Sequence, residues 1–393
     1  MVFHNILAGS SGQALSGDGL WVWGKNNEGQ LGLGDTTNRS SPTQLGEDTD
    51  WERVSTNVSR NMGCVKEDGT LWTWGHNQYG QLGHGNTTNL SSPVQVGSDT
   101  NWHSIYSFGG GGSTMLALKT TGAIYTCGSN SGGQLGQGAS SNLSSFTQVG
   151  SLTNWLNSNY DDDTYADGYP ATVAAGNLSW WAIKSDNTLW SCGFNNFGQL
   201  GLGDTTNRSS PTQVGSLTDW AYLPVGAGEG NGCCAVKTDG TLWSWGNNSA
   251  GQLGVGDTTK RSSPVQVGSL TNYKVITKGT NTMMFTNTSN QLWVVGLGDN
   301  GGLGTGNTTS VSSPVQVGSD TDWHNIIGGA YTGMATRSDG SLWVWGRNNE
   351  GQLGDDTTTN TSSPNQVGSA TDWSTISIGA GYDGMMARIR KAP

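Results

Sequence analysis

Charge is scarce in this chain of 393 residues, where Asp, Glu, Lys and Arg together make up 12%, about half the usual share. Most of the solvent contact must therefore fall to Ser, Thr, Asn and Gln. Basic residues are the scarcer sign, 18 Lys and Arg against 29 Asp and Glu, and the net charge is −11. A phosphate backbone or an anionic bilayer needs clustered Lys and Arg, so neither nucleic acid nor a membrane is expected as a partner. Long apolar runs are also missing. None approaches the roughly 18 residues of a membrane span, and the opening MVFHNILAGSSG lacks the basic start and apolar stretch of a signal peptide. Cysteine is sparse and odd in number. Cys64, Cys127, Cys192, Cys233 and Cys234 show no C-x-x-C spacing, which argues against a disulfide framework and a zinc site and leaves buried free thiols.

Glycine and tryptophan are abundant, with 63 and 18 residues. Glycine with the 9 prolines stays below the share that marks low-complexity chains, and so many indoles must be buried, so a folded protein follows. Both residue types recur in phase. The segment LWxWG starts at 20, 71, 124, 189, 242, 292 and 342, and each copy is followed by a G-Q-L-G turn, GGLG in the sixth. Next come S-S-P-x-Q-V-G, T-D-W-x-x-I, a Gly-rich stretch and an apolar strand ending in D-G. One long spacing marks an insertion at about residues 157–174. No linker divides the copies, so residues 1–393 are read as a single domain of seven repeats.

Each repeat reads as four short strands. Asp68-Gly69, Asp239-Gly240 and Asp339-Gly340 supply the positive φ of tight hairpins. Along LWxWG, alternation puts Leu and the middle residue on one face and both Trp on the other. A strand apolar on both faces needs a sheet on either side, which a ring of radial blades provides. Pro42, Pro93, Pro211, Pro264, Pro314 and Pro364 cannot donate to a ladder and are placed at the start of an outer edge strand. The expected fold is all-β: a seven-bladed propeller of four-stranded antiparallel blades. Eight segments match W-x-x-I, so the strand pairs in 3–16 and 373–390 compete for one place. Closure is expected through pairing of N- and C-terminal strands in a composite blade. Cys127, Cys192 and Val295 stand where other copies carry the second Trp, and those blades are expected to be less filled there.

The run W-x-x-I, Gly-rich turn, A-x-K-x-D-G, L-W-x-W-G-x-N-x-x-G-Q-L-G-x-G and P-x-Q-V resembles the repeat of the regulator of chromosome condensation family, from about Phe3 to Arg390. The resemblance implies a seven-bladed propeller. For function it implies a range: nucleotide exchange factors, a plant ultraviolet photoreceptor, a bacterial inhibitor of β-lactamases, and uncharacterised prokaryotic and phage proteins. The exchange factor's basic tail and the photoreceptor's G-W-R-H-T motif are absent. The uniform D-T-T-N-R-S-S-P phrases at 35–42 and 204–211 fit the prokaryotic and phage group best. The chain is therefore read as a non-catalytic structural or interaction protein, a phage virion component for assembly or adhesion, placed in a virion or the cytoplasm. The alternative is a soluble regulatory module that docks on a protein, as exchange factors and a protein inhibitor do.

Neither catalysis nor a cofactor is expected. The five histidines have no partner at a diagnostic spacing, and every Gly-rich loop leads into a strand instead of a phosphate-holding helix N-terminus. In the GDTTNRSSP loops, Asp35/Arg39, Asp204/Arg208 and Asp257/Arg261 read as an Asp that caps a turn and an Arg that reaches a neighbouring blade; a sugar-binding belt is the competing reading. Within the insertion, Asp161, Asp163 and Asp167 have calcium-like chemistry at the wrong spacing, and a solvated loop is preferred to a metal site. The Gly-rich turns after W-x-x-I vary most. Arg60, Phe108, Trp180, Glu229, Tyr331, Tyr382 and Asp383 form the candidate binding face near one end of the central channel. The partner expected there is a protein or an assembly neighbour, with a surface glycan as a further option; unconstrained loop drift is the opposing reading.

Overall fold

A computed structural model describes residues 19–55, 60–108, 113–155, 171–224, 230–329, 331–371 and 373, with the backbone of 375–378 and 385–390. Among these the strands pair into seven antiparallel sheets of four. Blade 2 shows the plan: Trp51–Val54, Asn61–Lys66, Leu71–Gly75 and Leu90–Gln95 lie side by side in chain order. The first strands of adjacent sheets touch, Trp51–Val54 against Trp102–Phe108 and Tyr273–Lys278 against Trp323–Gly328. The first strand is therefore the inner one, and the fourth forms the outer edge. Antiparallel order sends the first-to-second and third-to-fourth links to one end of the ring, called here the turn end. The hairpins between second and third strands, and the connectors to the next blade, lie at the opposite, hairpin end.

Blade 1 is composite. Gly19–Gly24 pairs with Arg39–Gln44 on one side and Met385–Arg390 on the other, with Thr375–Ile378 beyond. The C-terminal pair thus fills the closing place, and the rival pair in 3–16 lies outside the described residues. The inner strand starts at its head aromatic in blades 2, 3, 5, 6 and 7, and two residues after it in blade 1. In blade 4 the insertion separates Trp155 from the strand Val173–Gly176, while Trp155 still packs edge-on against Trp180 and Trp190 at 6.1 and 6.0 Å.

The core is divided into slabs between blades. Leu20 and Val22 of blade 1 pack with Trp51, Met62 and Trp74 of blade 2, whereas Trp21 and Trp23 pack backwards against Met334, Leu342 and Val344 of blade 7. Alternation within one strand therefore serves two neighbours. A polar middle residue is buried at no loss, because its hydroxyl bonds within its own blade, as Thr73 Oγ1 does to Leu82 O at 2.8 Å. The second Trp also pins the ring. Its indole N–H donates to a carbonyl of the preceding blade's loop: Trp74 to Gln30 O at 3.0 Å, Trp245 to Gln199 O at 2.8 Å and Trp345 to Gly302 O at 3.1 Å.

That loop is held by its own polar residues. Asn26 Oδ1 accepts from Leu31 N, Asn26 Nδ2 donates to Asp35, and Asn38 Oδ1 accepts from Asn26 N, all at 2.8 to 3.1 Å. The loop then hooks onto the next outer strand, Gly34 N to Ser91 O at 2.8 Å. A Cβ on Gly29, whose φ is +79°, would fall 2.7 Å from the Cα of Ser91, so only glycine allows this approach.

Two expectations need correction. The prolines occupy the fourth place of the outer strand, as in Leu90–Gln95, within the stretch where register shifts between Thr73 and Gly75. A bulge leaves the missing N–H without consequence, so Pro need not come first. Nor are the blades lacking a second Trp less filled. The second glycine of G-Q-L-G faces Trp74, Trp245 or Trp345 in some junctions, but Phe146 with Cys127, Trp180 with Cys192, and Met283 with Val295 in the others. Trp180 even takes over the pin, donating to Gln134 O at 2.9 Å.

Trp345 makes the pin, whereas buried Trp23 has no partner for its N–H. Trp345→Phe should cost about 1 kcal/mol more than Trp23→Phe in urea unfolding, and either Ala variant about 3 to 5 kcal/mol. Near-neutral midpoints for both Ala variants would refute the sandwiched blades.

Candidate functional site

At the turn end one residue follows the last glycine of every third strand, and it differs in every blade: Lys25, His76, Ser129, Phe194, Asn247, Leu297 and Arg347. In six blades its backbone N–H donates to the last residue of the Gly-rich turn. His76 bonds to Arg60 O, Ser129 to Ser113 O, Phe194 to Leu178 O, Asn247 to Asn231 O, Leu297 to Asn281 O and Arg347 to Tyr331 O, at 2.7 to 3.0 Å. The backbone is constant and the side chains are not. The arrangement yields six pairs of positions around one end of the ring, most of them partly exposed. The sequence reading caught only one member of two pairs, Arg60 and Tyr331. A single varying position between the constant Gly and an Asn present in six of the seven copies was the signal for the rest.

The remaining predicted residues part company. Phe108 ends the inner strand Trp102–Phe108 and Trp180 lies in Ser179–Ile183; both are fully buried and share one cluster between blades 3 and 4. They are packing residues, because a turn that looks variable in sequence hides the point where a strand resumes. Glu229, Tyr382 and Asp383 lie outside the described residues, as do Asp161, Asp163 and Asp167. Among the described residues no three His, Cys, Asp or Glu side chains gather as a metal site. The histidines stand apart from one another's chemistry: His76 by Gln81, His84 by Thr73, His103 by Arg53.

The Asp/Arg loops are closed on themselves. Arg39 bonds Asp35 at 2.7 Å and Thr37 O at 2.7 Å, and Arg208 and Arg261 repeat this. The arginine folds back within its loop instead of reaching the next blade, because the carboxylate it needs is only four residues away. The Thr37 N–H, followed by Arg39, holds the Asp35 carboxyl below its ordinary range. All of these groups are committed to loop structure.

At the hairpin end five blades place a cation between two aromatic rings among the described residues, while blade 6 carries Asn287 at that place. Lys66 lies 4.5 and 4.8 Å from the Trp51 and Trp72 centroids, Lys237 5.2 and 4.5 Å from Trp220 and Trp243, and Arg337 4.6 and 4.0 Å from Trp323 and Trp343. Connector carboxylates complete them: Asp48 and Asp50 on Lys66, Asp219 on Lys237, Asp320 and Asp322 on Arg337. Burial opposes the charge on Lys66, but Asp48 and Asp50 leave its pKa raised. Beside these groups lie rim cavities of similar build, of about 260, 440 and 370 Å³.

One cation has no such arrangement. Lys278 is 1% exposed, its hydrogen bond runs to Thr282 O at 3.5 Å, and buried Thr282 Oγ1 has no partner. Burial pushes its pKa down to about 8, with the Cys234 and Cys233 thiols alongside. All five cysteines are buried and free, and burial raises each thiol pKa, that of Cys234 to about 12.

The fold and its two ends define a closed seven-bladed repeat propeller, with structural chemistry in its repeated polar groups and variety at its turn end. The Regulator of chromosome condensation (RCC1) repeat matches residues 18–56, 68–118, 186–234, 239–277 and 339–387, and a second form of it matches 225–252. The chain belongs to this repeat family. It is 30% identical to the Ultraviolet-B receptor UVR8 of Arabidopsis thaliana, over 69% of this chain and 71% of that protein. It is 28% identical to the human E3 ubiquitin-protein ligase HERC2 over 70% of this chain but only 6% of HERC2. Human WBSCR16 superposes with a TM-score of 0.79 at 22% identity, covering 96% and 100% of the two chains. Prp20p of Saccharomyces cerevisiae, whose structure was described with its binding to Gsp1p and histones, superposes with 0.78 at 17% identity, covering 97% and 93%. These two solved structures show the fold.

Lys278 gives a pH signature. A lysine with a depressed folded pKa burdens the folded state fully below about pH 8, and the burden fades as pH rises towards the unfolded value of 10.5. The buried thiols act oppositely, since they ionise first in the unfolded chain, so the lysine must be isolated by difference. Lys278→Met should be more stable than the parent below pH 8, with the gap shrinking steadily up to pH 10.5. A gap independent of pH in chemical unfolding would show that Lys278 is not a buried ammonium.

Proposed function

We propose that the chain is a non-catalytic regulatory module that binds a protein partner with its turn end. The observation that carries this reading is the set of paired positions there. A constant backbone hydrogen bond presents side chains of different chemical kinds, Phe194 with Leu178, Asn247 with Asn231, Arg347 with Tyr331. A rigid ring that varies its side chains without varying its backbone offers a preorganised surface, which lowers the ordering cost of binding. Arg60 and Tyr331 belong to that surface. The family adds support: its members here include a receptor and the propeller of a ligase, and Prp20p binds Gsp1p and histones. This chain matches only 6% of HERC2, so the ligase activity is not carried over to it. The reading as a virion component and the glycan partner draw no support from these relatives, so the regulatory alternative is preferred.

The test replaces Phe194, Leu297 and Arg347 together by Asp. Their backbones are fixed by neighbours and their side chains face outwards, so stability should change by only about 0.5 kcal/mol at each site. Tagged parent protein, crosslinked in its source cells, should enrich a protein partner that the triple variant loses. The same partner retained by the variant, or nothing enriched above an unrelated seven-bladed propeller, would overturn the proposal.

A further inference from the structure

The connectors at the hairpin end share a position three residues before the head aromatic. Around the ring it holds Asp48, Asp99, Leu152, Leu217, Leu270, Asp320 and Ala370. The three aspartates serve the sandwiched cations, Asp48 on Lys66 at 2.7 Å, Asp99 on Lys119 at 2.6 Å and Asp320 on Arg337 at 2.6 Å. The three leucines are exposed by 44, 46 and 42%, and they are three of the five large exposed apolar side chains among the described residues. They occupy consecutive connectors and so form one arc.

The arc is both rigid and contoured. The first two connectors of the arc are stitched on two sides, and the third on one: Trp220 N donates to Asn187 O of the preceding hairpin and Asp219 O accepts from Thr238 N of its own, while Asn272 O accepts from Thr288 N. Leu217 walls the 260 Å³ cavity with Val214, Trp220, Trp243 and Pro264, and Leu152 walls the 440 Å³ cavity with Val149, Trp155, Trp190 and Pro211. In blade 7 the same cavity is walled by Asp320 and Arg337. Free charge beside the arc is mainly acidic. Asp186 and Asp239 are exposed in the hairpins next to it, Asp99 and Asp320 at its two ends are paired with Lys119 and Arg337, Lys184 and Lys237 lie buried between their rings, and half-buried Lys274 in blade 6 donates to Asn290 Oδ1 at 2.9 Å.

We propose that Leu152, Leu217 and Leu270 form a second docking site, for a protein segment with an apolar strip flanked by basic residues. Leucine and indole surfaces take the strip, and the exposed carboxylates of Asp186 and Asp239 take the basic flank. A second copy of the chain would bring its own acidic hairpin end against this one. The segment 156–170, with four aspartates and no lysine or arginine, carries the same sign. Charge therefore favours a basic partner over either.

The proposal is independent of the turn end. The probe is a leucine-rich synthetic peptide with lysines at both ends, titrated into the full chain by fluorescence anisotropy. Leu152→Asp, Leu217→Asp and Leu270→Asp combined restore what other connectors carry at this position, so folding should be kept, and affinity should fall about tenfold or more. The same peptide with glutamates at its ends should also bind about tenfold more weakly. Equal binding of the Lys peptide by the triple variant would overturn the site, as would equal binding of the Glu peptide. Tighter binding of a 156–170 peptide, or self-association that the triple variant abolishes, would assign the arc to the chain itself. The Phe194/Leu297/Arg347 variant must keep peptide binding, and the leucine variant must keep any turn-end partner, so the two proposals fail separately.

Discussion

The apolar junction between neighbouring blades is the constraint on which the ring depends, and at three junctions it is pinned by the indole N–H of the second LWxWG tryptophan, donated to a carbonyl of the preceding blade. A blade is apolar on both faces and only four strands wide, so no blade can bury itself. Stability is then a sum of junctions between neighbours, and the sum is complete only when the ring closes. Trp74 on Gln30 O fixes how far one blade turns against the last. The carbonyl it uses is positioned by Asn26, Asp35 and Asn38, none of which touches the indole. Sequence repetition thus preserves a chain of dependence: Asn sets the loop, the loop sets the carbonyl, and the carbonyl sets the blade. Where the Trp is lost the volume is refilled from another strand, and in blade 4 Trp180 regains the bond as well.

That dependence decides where function has room. The groups that look most chemical in the sequence, the repeated Asp, Arg, Asn and Gln, are consumed by the loops that aim the carbonyls. A residue is at liberty to vary only where its backbone is fixed by others and its side chain faces out. The residue after the third strand meets that condition at the turn end in most blades, and the residue three before the head aromatic meets it at the hairpin end where it is leucine, whereas His76, Ser129 and Ala370 are buried. Both are single positions inside an otherwise invariant frame.

Much of the architecture was legible because it is local and repeated. The apolar two-faced strand, the Asp-Gly hairpins and the count of seven all follow from patterns within one repeat, and the composite blade from the surplus of W-x-x-I segments. What was illegible depends on distances between repeats. Nothing local distinguishes Phe108 and Trp180 from turn residues, because only the neighbouring blade makes them core. The destination of Arg39 is set by loop curvature that brings Asp35 within reach. The place of Pro in its strand is set by a bulge, which is a property of the pair of strands and not of either one. At the candidate site, Arg60 and Tyr331 were found from one side of a backbone hydrogen bond whose other side was missed.

The hairpin end shows how a framework contact can be relaxed into a variable one. Lys66 has two connector carboxylates, and against the cost of burial they keep its pKa above the ordinary lysine value. In blade 4 the same two connector positions hold Leu152 and Asn154, and burial leaves the pKa of Lys184 lowered, with only Asp186 opposing it. Blade 5 is intermediate: Leu217 replaces one carboxylate, while Asp219 still reaches Lys237 at 3.2 Å. The aromatic sandwich is kept in each case, at 3.6 Å from Lys184 to the Trp190 centroid. Two rings and a mostly buried stem therefore suffice to place the cation, and the outer carboxylate is dispensable for the fold. Once dispensable it can become leucine, and three neighbouring connectors have made that exchange. In blades 4 and 5 the cations stay hidden between their rings, so the exchange removes exposed negative charge there without exposing positive charge, whereas blade 6 carries Asn287 in place of the cation. The result is an apolar arc with exposed carboxylates in the adjoining hairpins of blades 4 and 5, which the net composition of the chain does not reveal.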